Sequence, residues 1–281
     1  MASSYARRKL TDIVVRSACV AATVIALIPL GSVLYYVTSR GVSGLNWDFF
    51  SELPKPVGES GGGMANAIAG SGKLVFLACI FGIPPGVLAG VYLAEFGDSR
   101  FGKVVRFSAD VMSGVPSITV GIFVYSLVVL QTKQFSALAG GIALAVLMLP
   151  TVTRTTEELL KLVPESLREA ALGLGLPKWR TTLRVMLRTA APGIATGVML
   201  AVARVAGETA PLLFTAFNNR FWSNGLSEPV ASLPVNIYTY AVSPYEEWHR
   251  QAWTAALVLL LLVLLLNVSA RLLVRSRVGA R

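Results

Sequence analysis

The chain has 281 residues, of which 54% are hydrophobic and only 14% are charged. Because about a quarter of the residues in a soluble domain are charged, this composition excludes an ordinary soluble protein and indicates an integral membrane protein. The formal net charge of +10 does not by itself point to nucleic acid, since basic loops also fix the orientation of membrane proteins. We therefore expect membrane lipid, and no nucleic acid, around this chain.

A helix needs about 20 mainly apolar residues to cross a bilayer, and six segments of the chain meet this length. They predict an all-α integral membrane protein with six transmembrane helices and a single domain over residues 1–281. In chain order, the predicted spans cover about residues 13–37, 65–95, 105–131, 136–153, 190–216 and 251–274.

The distribution of basic residues predicts the orientation of these spans. Of the 25 Lys and Arg residues, 18 fall on the side that carries the N-terminus, in the terminal segments and loops or at the adjoining span ends, whereas five fall on the opposite side. An excess of Lys and Arg marks the cytoplasmic face of a membrane protein. We therefore expect a multi-pass protein of the plasma membrane with both termini in the cytoplasm. The loop over about residues 154–189 would also be cytoplasmic.

Four of the prolines in the predicted spans are candidate helix breaks. Pro84 and Pro85 lie in the second span, Pro116 lies in the third and Pro211 lies in the fifth. A proline removes a backbone donor, and such an interruption is tolerated in a membrane only where protein or water satisfies the freed groups. We therefore predict that these four residues form helix breaks or gate-like elements.

The fifth predicted span, with the sequence LAVARVAGETAPLLFTA, contains two charged residues. An ionisable side chain at the centre of a span costs about 2.5 to 3.5 kcal/mol and usually faces the bundle interior or an aqueous path. Arg204 and Glu208 are four residues apart, so a continuous helix would place them on one face, where they could pair. They either attract a passing anion, since a guanidinium matches oxyanion geometry, or only brace the helix against a neighbour.

Hydroxyl side chains extend this candidate path. Thr209 follows Glu208, and Ser113 and Ser117 flank the proline of the third span in the sequence DVMSGVPSITVG. Hydroxyls beside a helix interruption could face a translocation path, although Ser and Thr in membrane helices more often bond to their own backbone. The predicted path residues are Arg204, Glu208, Thr209, Ser113 and Ser117.

The loop after the fourth span contains a short predicted helix. Pro164 suits its first turn, and Glu165 and Glu169 lie near its start, where the helix dipole favours acidic side chains. Gly173 and Gly175 allow the chain to turn afterwards. We therefore expect a short helix on the cytoplasmic surface, available to a cytoplasmic partner.

The segment Glu169 to Gly175, EAALGLG, resembles the EAA loop of bacterial ABC importer permeases, and it stands between the fourth and fifth spans as in that family. The stretches ARVAGETAPLLFTAFNNRFW and SPYEEWHRQAW are similar to the permeases of phosphate-specific importers. This resemblance implies the type I ABC importer permease fold and a subunit that forms half of a translocation path. It also implies that an ATPase contacts the coupling residues Glu165, Glu169, Ala170, Ala171 and Gly175.

The resemblance also implies the partners of the chain. They are a second permease subunit, a dimeric ATPase subunit that binds ATP and Mg, and an extracytoplasmic phosphate-binding protein. The choice of phosphate depends on the resemblance, because an arginine and hydroxyls suit sulfate, molybdate or phosphonate importers equally well. A membrane scaffold or sensor is a further alternative, but it would leave the EAA-like loop without a purpose.

An enzyme is the main rival class. The single histidine, His249, lies in a predicted outer loop, no HExxH sequence occurs, and the serines of the third span have no adjacent base. The sequence AIAGSGKL lacks two residues of a phosphate-binding P-loop, so we expect Lys73 to extend to the membrane interface instead. We therefore expect no catalytic residue, no metal site and no cofactor bound by this chain.

Overall fold

The computed structural model describes residues 2–57, 59 and 61–278, so Arg281, one of the basic residues used to predict the orientation, lies outside the described residues. All regular secondary structure in the described ranges is helical, which confirms the predicted all-α class. The helices are α1 Ala2–Gly41, α2 Trp47–Ser51, α3 Ala65–Phe96, α4 Arg100–Gly114, α5 Ser117–Thr132, α6 Ala137–Lys161, α7 Glu165–Gly173, α8 Lys178–Ala206, α9 Ala210–Thr215, α10 Leu233–Ala241 and α11 Glu246–Val278.

Five of these helices, α1, α3, α6, α8 and α11, are long and apolar enough to cross a membrane. The pair α4 and α5 passes the same test only when taken together, and its two helices meet at an angle of 108°. The described part of the chain therefore contains five candidate spans, or six if the bent pair counts as one. This is a multi-pass membrane protein.

The centre of the fold is the packing of α3 against α6. Gly82, Gly86 and Gly90 recur every four residues on the buried face of α3, which lets the two backbones approach closely. A Cβ atom at Gly82 would lie 3.0 Å from Cε of Met148, and one at Gly86 would lie 2.9 Å from Cβ of Val152. The interface therefore has no room for a side chain at these positions.

The predicted break at Pro84 and Pro85 is wrong, because α3 continues through both residues to Phe96. Both prolines are exposed, on the side of the helix away from its buried glycines. Contacts with α6 on either side of the prolines, at Gly82 and Gly86, hold the helix axis in place. Close packing therefore keeps the helix continuous despite two missing backbone donors.

The predicted span 105–131 is divided at the expected residue, Pro116. Helix α4 ends at Gly114, and α5 begins at Ser117 in a new direction. Helix α4 carries charged residues along one side and exposes Phe101 and Phe107 on another. The interruption at Pro116 is therefore real, but the segment is not one continuous span.

A buried carboxylate fixes α4 to α6. The side chain of Glu157 is only 2% exposed, and its Oε1 accepts hydrogen bonds from Arg106 Nη2 at 2.6 Å and from Lys161 Nζ at 2.6 Å. Its Oε2 accepts one from Arg154 Nη1 at 2.8 Å. Three cations around one carboxylate compensate for its burial. Arg106 belongs to α4, and the other three residues belong to α6. Helix α6 therefore extends well beyond the predicted boundary at residue 153.

The connection between the fourth and fifth spans is shorter than predicted. The cytoplasmic loop was expected over about residues 154–189, but α6 continues to Lys161 and α8 begins at Lys178. A π-helical stretch from Thr181 to Met186 lies near the start of α8 without interrupting it. The connecting segment therefore consists of α7 and its two short linkers.

We expect that Gly86→Leu destabilises the fold by about 1–3 kcal/mol or more, because overpacking forces backbone shifts. The matched control is Gly72→Leu, since Gly72 lies in the same helix and a Cβ atom added there would meet no atom within 4 Å. Thermal unfolding of the purified chain in detergent measures both variants. Equal losses of stability in the two variants would contradict the proposed importance of this interface.

Candidate translocation path and coupling site

The predicted fifth span is interrupted beside its two charged residues. Helix α8 ends at Ala206, and α9 begins at Ala210 with Pro211 in its first turn. The three intervening residues are not helical, and the N–H of Glu208 bonds to the carbonyl of Val205 at 3.2 Å. A helix break therefore exists at the point where the sequence places Arg204 and Glu208.

This break separates the two charged side chains that were expected to pair. Arg204 is exposed near the end of α8, whereas Glu208 is half-buried beyond it. Neither side chain forms an ion pair with another described residue. The predicted pairing is wrong because it assumed a continuous helix, which would have placed the two residues one turn apart on the same face. The site instead presents a separate guanidinium and a separate carboxylate.

The hydroxyl residues of the candidate path occupy different positions. Ser113 donates a hydrogen bond to the carbonyl of Ala109 at 3.0 Å, which is the backbone-bonded alternative. Ser117 is half-buried in the first turn of α5, and Thr209 is half-buried directly before α9. Both of these residues therefore lie at the helix breaks.

The two broken elements contact each other. Helix α9 packs against α5, and a Cβ atom at Gly121 would lie 2.6 Å from Cα of Pro211. Pro211 is buried at this contact. Because Gly121 lies one turn beyond Ser117 and Pro211 follows Thr209 closely, the structure brings the two interrupted helices together.

The short helix predicted in the loop is confirmed. Helix α7 begins at Glu165, directly after Pro164, and ends at Gly173. Gly175 has a φ of 81°, a left-handed conformation that favours glycine at this turn. Of the predicted coupling residues, Glu165, Glu169, Ala170 and Gly175 are exposed, whereas Ala171 is buried against the rest of the chain.

Sequence reasoning missed the contact that attaches α7 to the bundle. Arg168 donates two hydrogen bonds to Glu95, from Nη1 to Oε2 at 2.7 Å and from Nη2 to Oε1 at 2.6 Å. Thr182, near the start of α8, also donates to Oε1 of Glu95 at 3.1 Å. The bond to Glu95 raises the pKa of the Arg168 guanidinium above its usual value. One carboxylate at the end of α3 therefore joins α7 and α8.

At the opposite end of α3, a lysine and an asparagine hold a loop. Lys73 Nζ donates to the carbonyls of Ser223 at 2.6 Å and of Gly225 at 3.4 Å, so it does not extend to the interface as expected. Asn66 Nδ2 donates to the carbonyl of Asn219 at 2.7 Å. The loop after α9 is therefore fixed across this end of α3.

The described residues contain no group of three or more His, Cys, Asp or Glu side chains that could hold a metal ion. His249 contacts the carbonyl of Ser243 through Nε2 at 2.6 Å. Its Nδ1 lies 4.0 Å from Oε2 of Glu246.

Comparison with known proteins identifies relatives along most of the chain. Residues 86–278 match the family model described as binding-protein-dependent transport system inner membrane component. The chain is 50% identical over 242 residues, 86% of its length, to the phosphate transport system permease protein PstA of Yersinia pestis, of which the match covers 82%. It is 44% identical over 277 residues to the protein of the same name from Xylella fastidiosa, covering 98% of this chain and 96% of that protein.

Solved structures share the fold at low sequence identity. A chain of a bacterial alginate ABC transporter, solved in complex with an alginate-bound periplasmic protein, superposes with a TM-score of 0.65 and 14% identity, covering 92% of this chain and 93% of that chain. A chain of the MetNI methionine ABC transporter gives a TM-score of 0.59 at 20% identity, covering 74% and 91%. These likenesses confirm the type I ABC importer permease fold. The chain belongs to the family of binding-protein-dependent transport system inner membrane components.

Proposed function

We propose that this chain is the permease subunit of an ATP-driven importer of inorganic phosphate and forms half of its translocation path. The observation that carries the proposal is the similarity to phosphate transport system permeases, 50% identity over 86% of the chain. The chain itself is a transporter subunit rather than an enzyme. ATP and Mg bind to a separate dimeric ATPase subunit, and the chain carries no cofactor of its own.

The helix break at Arg204 and Glu208 is the proposed path site. Arg204 is exposed and has no carboxylate partner among the described residues, so its full charge is available to attract an anion. A guanidinium donates paired hydrogen bonds that match the oxygens of phosphate. Because conduction requires release as well as binding, a single arginine at a break suits a transient contact.

Glu208 adds a means of distinguishing anions. A carboxylate repels a fully ionised oxyanion but accepts a hydrogen bond from one that still carries a proton. Phosphate carries such a proton at neutral pH, and sulfate does not. Glu208, half-buried beside the break, therefore favours phosphate over sulfate during passage. Thr209, Ser117 and Ser113 offer hydroxyl oxygens along the same broken helices.

A second permease subunit completes the path. The exposed side of α8 that carries Arg204 faces this subunit across the path, so that each permease supplies one wall. An extracytoplasmic phosphate-binding protein delivers the ion to the side opposite α7. With α7 and both termini in the cytoplasm of a bacterial cell, as the basic residues predict, the transport direction is inward.

Helix α7 is the docking element for the ATPase. Its exposed residues Glu165, Glu169 and Ala170 form a compact surface, while Arg168 on its other side is held by Glu95. When the ATPase subunits close, α7 moves with them, and the bonds of Glu95 to Arg168 and Thr182 transmit this motion to α3 and α8. ATP hydrolysis thereby changes the path that α8 lines.

Uptake of labelled phosphate by the complete reconstituted complex tests the function. We expect ATP-dependent uptake that excess unlabelled phosphate abolishes and that excess sulfate, molybdate or phosphonate leaves largely intact. Stronger inhibition by one of these competitors than by phosphate would assign the chain to an importer of that oxyanion instead.

We expect that Arg204→Gln lowers phosphate uptake by about tenfold to a hundredfold, which corresponds to the loss of a charge-assisted hydrogen bond. Assembly of the complex and basal ATP hydrolysis should be unchanged, and Arg204→Lys should restore part of the uptake. Arg40→Gln is the matched control, because Arg40 is also exposed but lies at the end of α1. Wild-type uptake by Arg204→Gln would exclude a path role.

We expect that Glu95→Gln lowers the phosphate transported per ATP hydrolysed by about fivefold or more, since coupling energies between sites are typically about 1–3 kcal/mol. The variant leaves the guanidinium of Arg168 without its carboxylate, so α7 can move without pulling α3. The double variant Glu95→Arg with Arg168→Glu reverses the pair and should recover part of the coupling. Full coupling in Glu95→Gln would rule out this transmission route.

A further inference from the structure

A cavity of about 250 Å³ lies at the end of α3 opposite α7. It is lined by Pro54 in the segment between α2 and α3, the end of α9, the loop that follows α9, α10 and the start of α11. Its polar lining residues include Asn218, Arg220, Asn236, Thr239 and Tyr240, and no Asp or Glu among the described residues lines it. Since a water molecule occupies about 30 Å³, the cavity has room for one small oxyanion with several waters.

An arginine without a carboxylate partner lies at the rim of this cavity. The guanidinium of Arg220 lies over the ring of Trp248, with 5.7 Å between its Cζ and the ring centroid. Trp248 in turn stacks on Tyr240, with ring centroids 4.3 Å apart and an interplanar angle of 12°. Arg220 forms no ion pair with any described residue. The aromatic stack therefore orients a cation whose N–H donors are free.

Two further donors inside the cavity have no acceptor in the part of the chain that the structure describes. Asn236 is only 2% exposed, and its Oδ1 accepts a hydrogen bond from Asn218 Nδ2 at 2.8 Å. No described residue accepts a hydrogen bond from its Nδ2 or from the hydroxyl of Tyr240. Burial raises the pKa of Tyr240, so its hydroxyl keeps its proton. Both residues line the cavity, so an anion in it would supply the acceptor for each donor.

The cavity is also close to the proposed path site along the chain. Helix α9 begins directly after Thr209 and ends at Thr215, two residues before Phe217 in the cavity wall. Its six residues span about 9 Å at 1.5 Å per residue. One short helix therefore separates the cavity from the break that contains Glu208.

We propose that this cavity is an entry site for a tetrahedral oxyanion, inorganic phosphate, which binds between Arg220, Asn236 and Tyr240 before it reaches Arg204. The site deepens the proposed function and rests on it. Arg220 supplies charge, and the amide of Asn236 and the hydroxyl of Tyr240 supply directed donors. The hydroxyl oxygen of Thr239, which donates its own proton to the carbonyl of Val235, accepts a hydrogen bond from a protonated phosphate oxygen.

Equilibrium binding of labelled inorganic phosphate to the complete complex, without ATP and without the binding protein, tests the entry site. The measurement is made in the Arg204→Gln background, so that the path site does not contribute. We expect Arg220→Gln and Tyr240→Phe each to weaken phosphate binding by about tenfold, as for other hydrogen bonds to charged groups. Arg220→Lys should retain more of the binding than Arg220→Gln.

Arg250→Gln is the matched control. Arg250 is another arginine on this side of the chain, but it is paired with Glu247 at 2.8 Å and does not line the cavity. Unchanged binding in both Arg220→Gln and Tyr240→Phe, or equal loss in Arg250→Gln, would overturn the entry site. Thermal unfolding of each complex identifies a folding defect, and the removal of a single hydroxyl in Tyr240→Phe leaves the packing intact.

Uptake by the otherwise wild-type complex separates this proposal from the function on which it rests. If the entry site is correct, Arg220→Gln raises the phosphate concentration for half-maximal uptake while the maximal rate is largely retained. Absence of phosphate uptake by the wild-type complex would instead refute the proposed function. Wild-type uptake with an unchanged half-maximal concentration in Arg220→Gln would refute the entry site alone.

Discussion

The close approach of α3 and α6 is the constraint on which the rest of the structure depends. Glycines at Gly82, Gly86 and Gly90 bring the backbones together, so that α3 remains one continuous helix despite its paired prolines. The two ends of α3 bind different parts of the chain. Glu95 at one end binds α7 and α8, whereas Lys73 near the other end fixes the loop beside the cavity.

In contrast to the continuous helix α3, two other parts of the fold are interrupted. Helices α5 and α9 each begin at a break, and they meet where Gly121 contacts Pro211. Helix α4, the other half of its broken pair, is attached to α6 through the buried carboxylate of Glu157. Charged residues thus attach α4 to α6 and α7 to α3. The small residue Gly121 allows α5 to contact α9. The fold combines a closely packed centre with two breaks that lie beside its candidate path.

Much of this arrangement could be predicted from the sequence because the signals are local. Apolar length predicts the membrane class, Pro116 predicts a real break, and Pro164 with Gly175 marks the limits of α7. The continuity of α3 could not be predicted in this way. It depends on α6, a partner distant in sequence, whereas the effect of a proline is judged from its neighbours.

In the candidate site, too, local features could be predicted from the sequence, whereas features that depend on distant contacts could not. The presence of Arg204 and Glu208 in an apolar segment is visible in the sequence, but their separation depends on the end of α8 at Ala206. The bond between Arg168 and Glu95 joins residues 73 positions apart. An arginine directly before the EAA-like segment and an acid at the end of the second span were the only signals for it, and spacing alone could not connect them.

The packing of α1 limits when during synthesis it can join the rest of the bundle. Among the residues of α1 whose exposure is described, only Val37 and Gly41 are buried, and a Cβ atom at Gly41 would lie 2.7 Å from Cβ of Leu257 in α11. Helix α1 therefore packs on α11, a helix far later in the chain. During translation the contact between α1 and α11 cannot form until α11 has been synthesised, so this part of the bundle assembles late.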